Sequence, residues 1–381
     1  MLSDTFARNR MPLRQKFREI HWFLVLLLAL IAAIGFVVLY SAAGGSLDPW
    51  ASRQMARFAA GMVLLVAIAV TDIRIWFKYA YAFYALALAL LVLVEVAGRI
   101  GMGAQRWLSF GIVNFQPSEL MKVALLLALA QYFHGGSAED VRRPLFLFLP
   151  IAMVAVPVGL VLRQPDLGTA LMLLLSAAAL FFLAGVRLWK FAAIGMVALA
   201  AVPVAWRFLR GYQKQRVLSF LDPDKDPLGS GYHIIQSKIA LGSGGIFGKG
   251  FLQGMQSHLN FLPEKQTDFI FTMFAEEFGL IGGLALLGLF TLIIAYCMAI
   301  SLRIQSQFGR LLAFGVAATF FFYLFINTAM VMGILPVVGV PLPLVSHGGT
   351  AMLAVMIGFG LVMSANIHRD TRIGRQGSYD D

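Results

Sequence analysis

Apolar residues arrive along this 381-residue chain in long unbroken runs, with no sustained helical or alternating period. Crossing the hydrocarbon of a bilayer as a helix takes about 20 such residues. Ten runs qualify, at roughly 22–42, 56–71, 77–96, 118–134, 145–162, 168–186, 190–206, 270–301, 310–332 and 348–367. The pattern predicts an all-α, polytopic membrane protein forming a single domain of about ten transmembrane helices. Only Arg187 to Lys190 separates the sixth run from the seventh, and the eighth is too long for one crossing. Its first part, 270–279, is expected to lie partly outside the hydrocarbon. Basic residues Arg8 to Arg18 precede the first run, which is too long for a signal-peptide core and reads as an uncleaved first span.

The seventh and eighth runs are separated by a long loop, 207–268. Inside it, Tyr232 to Leu241 is apolar on one side and carries His233, Gln236 and Lys238 on others, which predicts a short interfacial helix. A glycine-rich turn, 241–254, follows. Further on, a polar and acidic run flows without a turn signal into the eighth apolar run, and Asp268 stands at the join.

Composition agrees with the pattern: 60% hydrophobic and 13% charged, with 37 glycines, is more apolar surface than a soluble domain hides. The net charge of +11 is scattered through short loops, which marks topology rather than a nucleic-acid groove. An even number of spans puts both termini on one side. The basic residues of the even-numbered connections, such as Arg74, Lys78, Arg142, Arg143, Arg187, Lys190, Arg303 and Arg310, place that side in the cytoplasm. Residues 1–21 and 368–381 then form cytoplasmic tails and 207–268 the large extracytoplasmic loop. One cysteine, Cys297, excludes an intrachain disulfide, and no Cys/His spacing suits zinc.

Candidate chemistry gathers toward the extracytoplasmic face. A carboxylate at the mouth of a span costs a few kcal/mol. Asp268 therefore either caps the eighth helix or acts on a lipid-linked substrate, and Lys238, Lys249 and Lys265 share its loop system as diphosphate handling requires. Glu276 and Glu277 follow two to three turns later. Glu119 and Lys122 lie three apart on one helix face and form either a buried ion pair or a substrate contact. Arg106 beside Trp107 suits an anionic headgroup or an aromatic belt. Asp166 either caps the sixth span or faces Arg106 or Lys122. The uncharged segment 333–350, with three prolines, reads as a re-entrant wall carrying Ser346 and His347. His347 serves there as a base or as a hydrogen-bonded wall residue. The turn 241–254 lacks the glycine and hydroxyl positions of a P-loop, so it makes either a tight surface turn or a backbone cradle for a diphosphate.

Several motifs, spread over nearly the whole chain, resemble the SEDS family of cell-wall glycosyltransferases, the RodA/FtsW group. They are Arg106-Trp107-Leu108, QPSELMK at 116–122, QPDLGT at 164–169, DPLGSGYHIIQSKIALGSGG at 226–245, FLPEKQTDFIF at 261–271 and the segment 333–350. The turn Gly248-Lys249-Gly250 and the following Gln256 to Phe261 are closer to the elongation branch than to the division branch.

The resemblance implies a ten-span fold that polymerises lipid II into glycan strands, with undecaprenyl diphosphate as leaving group. It also implies a complex with a class B penicillin-binding protein and other membrane proteins of elongation. Asp268 is the implied essential acid, and Arg106, Trp107, Glu119, Lys122, Asp166 and Lys238 fall on motif positions around an outer cavity. Lys249, Ser346 and His347 complete the expected substrate contacts. Gln266 stands where relatives often have His, and His347 where many have Tyr, so an imidazole at 266 cannot be the base. A loosely held magnesium or manganese ion with Asp268 as ligand fits the same chemistry. Two other classes remain open, a lipid II flippase and a non-catalytic scaffold of the synthase. Polar residues clustered toward one face favour surface chemistry over transport.

Overall fold

The structure, a computed structural model, describes residues 11–101, 104–110, 113–137, 139–208, 211, 214, 218–220, 222, 230–254, 264–371 and 373–374. Outside these lie Arg8, Arg10, His258, the stretch 256–261 of the family resemblance and most of the C-terminal tail.

Within lipid, backbone polar groups must be satisfied inside the segment, and a helix does this by itself. Helices duly cover every predicted run. They are α1 (Leu13–Glu19), α2 (Trp22–Ala42), α3 (Ala51–Val70), α4 (Ile73–Ala97), α5 (Pro117–Gly135), α6 (Pro144–Arg163), α7 (Leu167–Leu183), α8 (Leu188–Phe208), α9 (Ser230–Ser243), α10 (Ile270–Arg303), α11 (Gln307–Val331) and α12 (Gly349–Ile367). Seven of these (α2, α3, α4, α6, α10, α11 and α12) are long and apolar enough to cross a membrane. The chain is a polytopic, all-α membrane protein. Helix α5 carries too many polar residues to face lipid and instead sits inside, with Met121, Ala128, Leu129 and Ala130 wholly buried. It packs along α4, α7 and α11, while α12 lies along α3. At the periphery, α8 shows Ile194, Met196, Val197 and Leu199 outward, as a lipid-facing helix does.

Three features depart from the sequence pattern. The connection from α4 to α5, expected as a loop, holds an antiparallel meander of β1 (Arg99–Gly101), β2 (Ala104–Phe110) and β3 (Val113–Phe115). Alternation along β2 buries Leu108 and sends Trp107 to the opposite side from Arg106. The acidic run before α10 does not flow into the helix. Residues 264–269 form turns with Glu264 at φ 55°, and the helix begins only at Ile270. Helix α3 starts at Ala51, ahead of its apolar run, which brings Arg53 and Gln54 onto the helix with Arg57.

Helix α10 is interrupted at Gly279 (φ 67°, ψ −165°). The glycine-rich turn is the cause. Lys249 N donates to Glu276 O (3.0 Å) and Gly250 N to Glu277 O (3.0 Å). On the far side of the break, Leu280 N donates to Gly245 O (2.9 Å) and Ile281 N to Ile246 O (3.2 Å). Groups that a broken helix would orphan are thus satisfied by a second backbone. So close an approach tolerates no side chain at Gly248 (φ +83°), where a Cβ would fall on the Glu277 carbonyl.

Hydrogen bonds tie the helices at both ends. One end joins Gln54 to Ser346, Arg106 to Gln164 and Asn327 to Asp268. The other joins Lys16 to Val70, Lys190 to Arg142 and His134 to Ile373.

The splice makes a prediction for thermal unfolding in detergent. Gly248→Ala loses about 2 kcal/mol or more through backbone strain and collision. Gly195→Ala on α8, where a Cβ meets nothing within 4 Å, shifts stability by no more than ~1 kcal/mol. Equal melting of the two variants contradicts the splice.

Candidate active site

The segment between α11 and α12 has almost no regular backbone pairing, so side chains from the surrounding helices must satisfy it. Asn327, fully buried on α11, donates through Nδ2 to Val340 O (2.8 Å) and to Asp268 O (3.0 Å). A single amide thereby fixes the loop against the turn that carries Asp268. Ser346 Oγ donates to Thr267 O (2.6 Å) and accepts from Leu342 N (2.7 Å). His347 N donates to Gln266 O (2.8 Å), and Gln54 Nε2 donates to Ser346 O (2.8 Å). The carboxylate of Asp268 lies against the bare Cα of Gly339 (φ +76°), where a Cβ would stand 3.4 Å from Oδ2. The N-cap of α10 falls on Phe269, one residue beyond Asp268.

A second group adjoins across the same loop. Asp166 caps α7 by accepting from Thr169 N (3.1 Å) and Thr169 Oγ1 (3.0 Å), and it also accepts from Gln116 Nε2 (3.2 Å). Arg106 forms an ion pair with the same carboxylate, its Nε 3.9 Å from Oδ2. Both sequence alternatives for Asp166 therefore hold together, with Arg106 rather than Lys122 opposite it. Arg106 also donates to the carbonyls of Gln164 (3.1 Å) and Pro165. Gly168 lets the start of α7 touch the loop: a Cβ there would sit 2.6 Å from Val338 O. Asp268, Gly339, Gly168 and Asp166 thus follow one another along the loop, with Asp268 and Gly339 reaching the surface and Gly168 and Asp166 buried.

Beneath it, Lys122 Nζ bonds Glu119 Oε1 at 2.7 Å, and both side chains are about 95% buried. Tyr323 on α11 closes a triangle by donating to Glu119 Oε2 (2.8 Å) and accepting from Lys122. A cavity of about 30 Å³ between α5, α11 and α12 borders this triangle and is too small for a prenyl tail.

Lys238 and Lys249 are placed differently from one another. Lys238, exposed on α9, lies over Gly333 at the start of the loop, where a Cβ would come within 2.8 Å of Nζ. Helix α9 is anchored there by Ser237, which bonds Thr272 Oγ1 (2.8 Å) and Val331 O (2.9 Å). Lys249 gives its ammonium to buried Glu276 at 2.8 Å, beside Glu277, whose carboxylate accepts from Ser41. Trp107 is half-buried on β2.

His347 Nε2 is 3.3 Å from Arg57 Nη1. Burial first, then the charges of Arg57 and Arg53, push the His347 imidazole down to about 4, so it is neutral at pH 7. Sequence reasoning missed Arg57, Gln54, Asn327 and Tyr323. Their signals are spacings: Gln54 and Arg57 three apart, Tyr323 and Asn327 four apart, each pair on one helix face.

Among the described residues, no three His, Cys, Asp or Glu side chains converge as metal ligands.

A family model described as "cell cycle protein", FTSW_RODA_SPOVE, matches residues 21–372. The peptidoglycan glycosyltransferase MrdB of Escherichia coli K12 is 46% identical over 350 residues, covering 91% of this chain and 93% of that protein. The peptidoglycan glycosyltransferase RodA of Treponema pallidum is 31% identical over 425 residues, covering 91% and 98%. Among solved structures, a chain of a peptidoglycan synthase complex that coordinates polymerization and crosslinking superposes with TM-score 0.79 at 37% identity, covering 92% of this chain and 98% of that one. Thermus thermophilus RodA follows with TM-score 0.70 at 32% identity, covering 93% and 98%.

The buried triangle predicts a sharp asymmetry. Lys122→Met strands the Glu119 charge and costs about 3–5 kcal/mol in detergent unfolding. Glu119→Gln combined with Lys122→Met recovers more than half of that. Additive losses in the double variant would show that the pair is not coupled.

Proposed function

The chain belongs to the cell cycle protein family FTSW_RODA_SPOVE, and on that premise we propose that Asp268 is the acid-base centre of its glycosyl transfer. It is a peptidoglycan glycosyltransferase. In the proposed reaction the 4-hydroxyl oxygen of one lipid II attacks the anomeric carbon of the growing chain. The bond from that carbon to the diphosphate breaks, and undecaprenyl diphosphate leaves with the electron pair. The hydroxyl proton passes to the Asp268 carboxylate.

The observation that carries this reading is the way Asp268 is held. Its backbone is clamped by Asn327 and its carboxylate faces a glycine, so the position is fixed while a neighbouring surface stays without side-chain bulk. Preorganisation of this kind is what a catalytic group needs. Lipid II and the glycan strand are the proposed substrates, bound along Arg106, Trp107, Asp166, Lys238, His347 and the Ser346 loop. Lys249 contributes by holding the glycine-rich turn on Glu276. A magnesium or manganese ion would come with the diphosphate and take Asp268 as its protein ligand.

We place the protein in the cytoplasmic membrane, with both termini inside and Asp268 facing outward. The positive-inside distribution of Arg and Lys supports this. A class B penicillin-binding protein is the proposed crosslinking partner, working with other elongation proteins during lengthening of the cell.

Purified protein given lipid II tests the mechanism. Asp268→Asn should lower polymer yield by about 10²–10⁴-fold while melting and binding the transpeptidase like the parent. Full yield from that variant overturns the role, and complementation of growth by it would favour a scaffold. Chelation of divalent cations should slow polymerisation without changing the melting temperature. Unchanged rates in chelator remove the ion from the proposal.

A further inference from the structure

Two guanidinium groups stand near the start of α12, Arg57 against Gly349 and Arg53 close enough to act on the His347 ring. Arg53 and Arg57 are four apart on α3, and neither forms an ion pair among the described residues. Arg57 is half-buried and lies against Gly349, where a Cβ would come within 2.8 Å of Nε. Its Nη1 reaches His347 Nε2 at 3.3 Å. With Nε2 accepting, the imidazole proton sits on Nδ1, and that buried atom has no hydrogen-bond partner. Thr350 is 94% buried, and its hydroxyl is likewise unpartnered. The N-cap of α12 is Gly348, which supplies no side chain to the first amides of the helix.

Unanswered donors at a buried site cost free energy unless a ligand meets them. Here all of them suit one kind of ligand: the guanidinium fork, the Nδ1 proton, a hydroxyl and the positive end of a helix each favour an anion. Gly349 is also required for the approach, since a side chain there would displace Arg57. Two links bind this corner to the Asp268 turn, His347 N to Gln266 O and Ser346 Oγ to Thr267 O.

We propose that Arg57, His347, Thr350 and the first turn of α12 form a binding subsite for the diphosphate of the prenyl-linked sugar, with Arg53 guiding it in. The inference rests on the glycosyltransferase reading above and adds where the leaving group is held. Arg57 is the principal contact, and His347 acts as a neutral donor. The departure of His347 from the family's usual Tyr then keeps a donor at this place.

The test measures binding apart from chemistry. Full-length protein in nanodiscs is titrated with undecaprenyl diphosphate, and separately with phosphatidylglycerol, a phosphate headgroup lacking the diphosphate. Arg57→Gln should weaken undecaprenyl diphosphate binding about tenfold or more and leave phosphatidylglycerol binding unchanged. In polymerisation it should raise KM for lipid II more than it lowers kcat, and Arg57→Lys should recover part of the loss. Should Arg57→Gln not fold, exposed Arg53→Gln and buried Thr350→Val replace it with the same expectation. Undiminished diphosphate binding in the variants overturns the subsite. So does an equal loss for both lipids, which would mark a general surface attraction. Asp268→Asn separates the two readings: titrated in chelator, where no ion links residue 268 to the diphosphate, it should bind undecaprenyl diphosphate as the parent does under the same conditions, whatever it does to polymer yield.

Discussion

An irregular stretch of backbone between α11 and α12 must have its polar groups satisfied from outside itself, and the organisation of the candidate site follows from that need. Helical segments close their own hydrogen bonds; this one cannot. Asn327 and Gln54 from the helices, with Ser346 from the loop itself, supply the missing partners, and two of them also reach the turn that carries Asp268. Asn327 reaches the Asp268 carbonyl and Ser346 reaches Thr267. Holding the loop and aiming the acid are one set of bonds.

Polar groups elsewhere obey the same rule at greater depth. The Glu119, Lys122 and Tyr323 triangle lies on the helices that flank the loop, and Tyr323 is one turn from Asn327 on α11. A buried charge pair of this kind contributes little net stability but penalises any other arrangement of α5 against α11. The glycine-rich turn and Gly279 solve an analogous problem in α10 by pairing two irregular backbones. Glycine is needed at Gly248 and Gly279 because the two chains meet closer than a Cβ allows.

Much of this was legible in the sequence. Runs of apolar residues located the helices, because hydrocarbon demands length and hydrophobicity together. The spacing of Glu119 and Lys122 gave their pairing, and the Asp166-Leu167-Gly168-Thr169 order gave a cap. The excess length of the eighth run announced trouble near 270–279, but the break itself depends on residues 245–250, some thirty positions earlier, so local pattern could not locate it. Tyr323 and Asn327 look like isolated polar residues in a span until their partners on other segments are known. Two of the three strands around Arg106 are only three residues long, and β2 (AQRWLSF) does not alternate apolar with polar residues, so no strand pattern registers. Arg57 stands at the start of the second apolar run, where a single basic residue carries no local pattern that points to chemistry.

In the proposed reaction residue 268 faces the outside beside a prenyl-linked diphosphate. An Asp268→Cys variant in intact spheroplasts tests it directly, since the native Cys297 is buried and gives no background. A membrane-impermeant maleimide should label the new thiol from outside, and undecaprenyl diphosphate should protect it. Labelling only after the membrane is opened, or labelling indifferent to the lipid, would contradict the account.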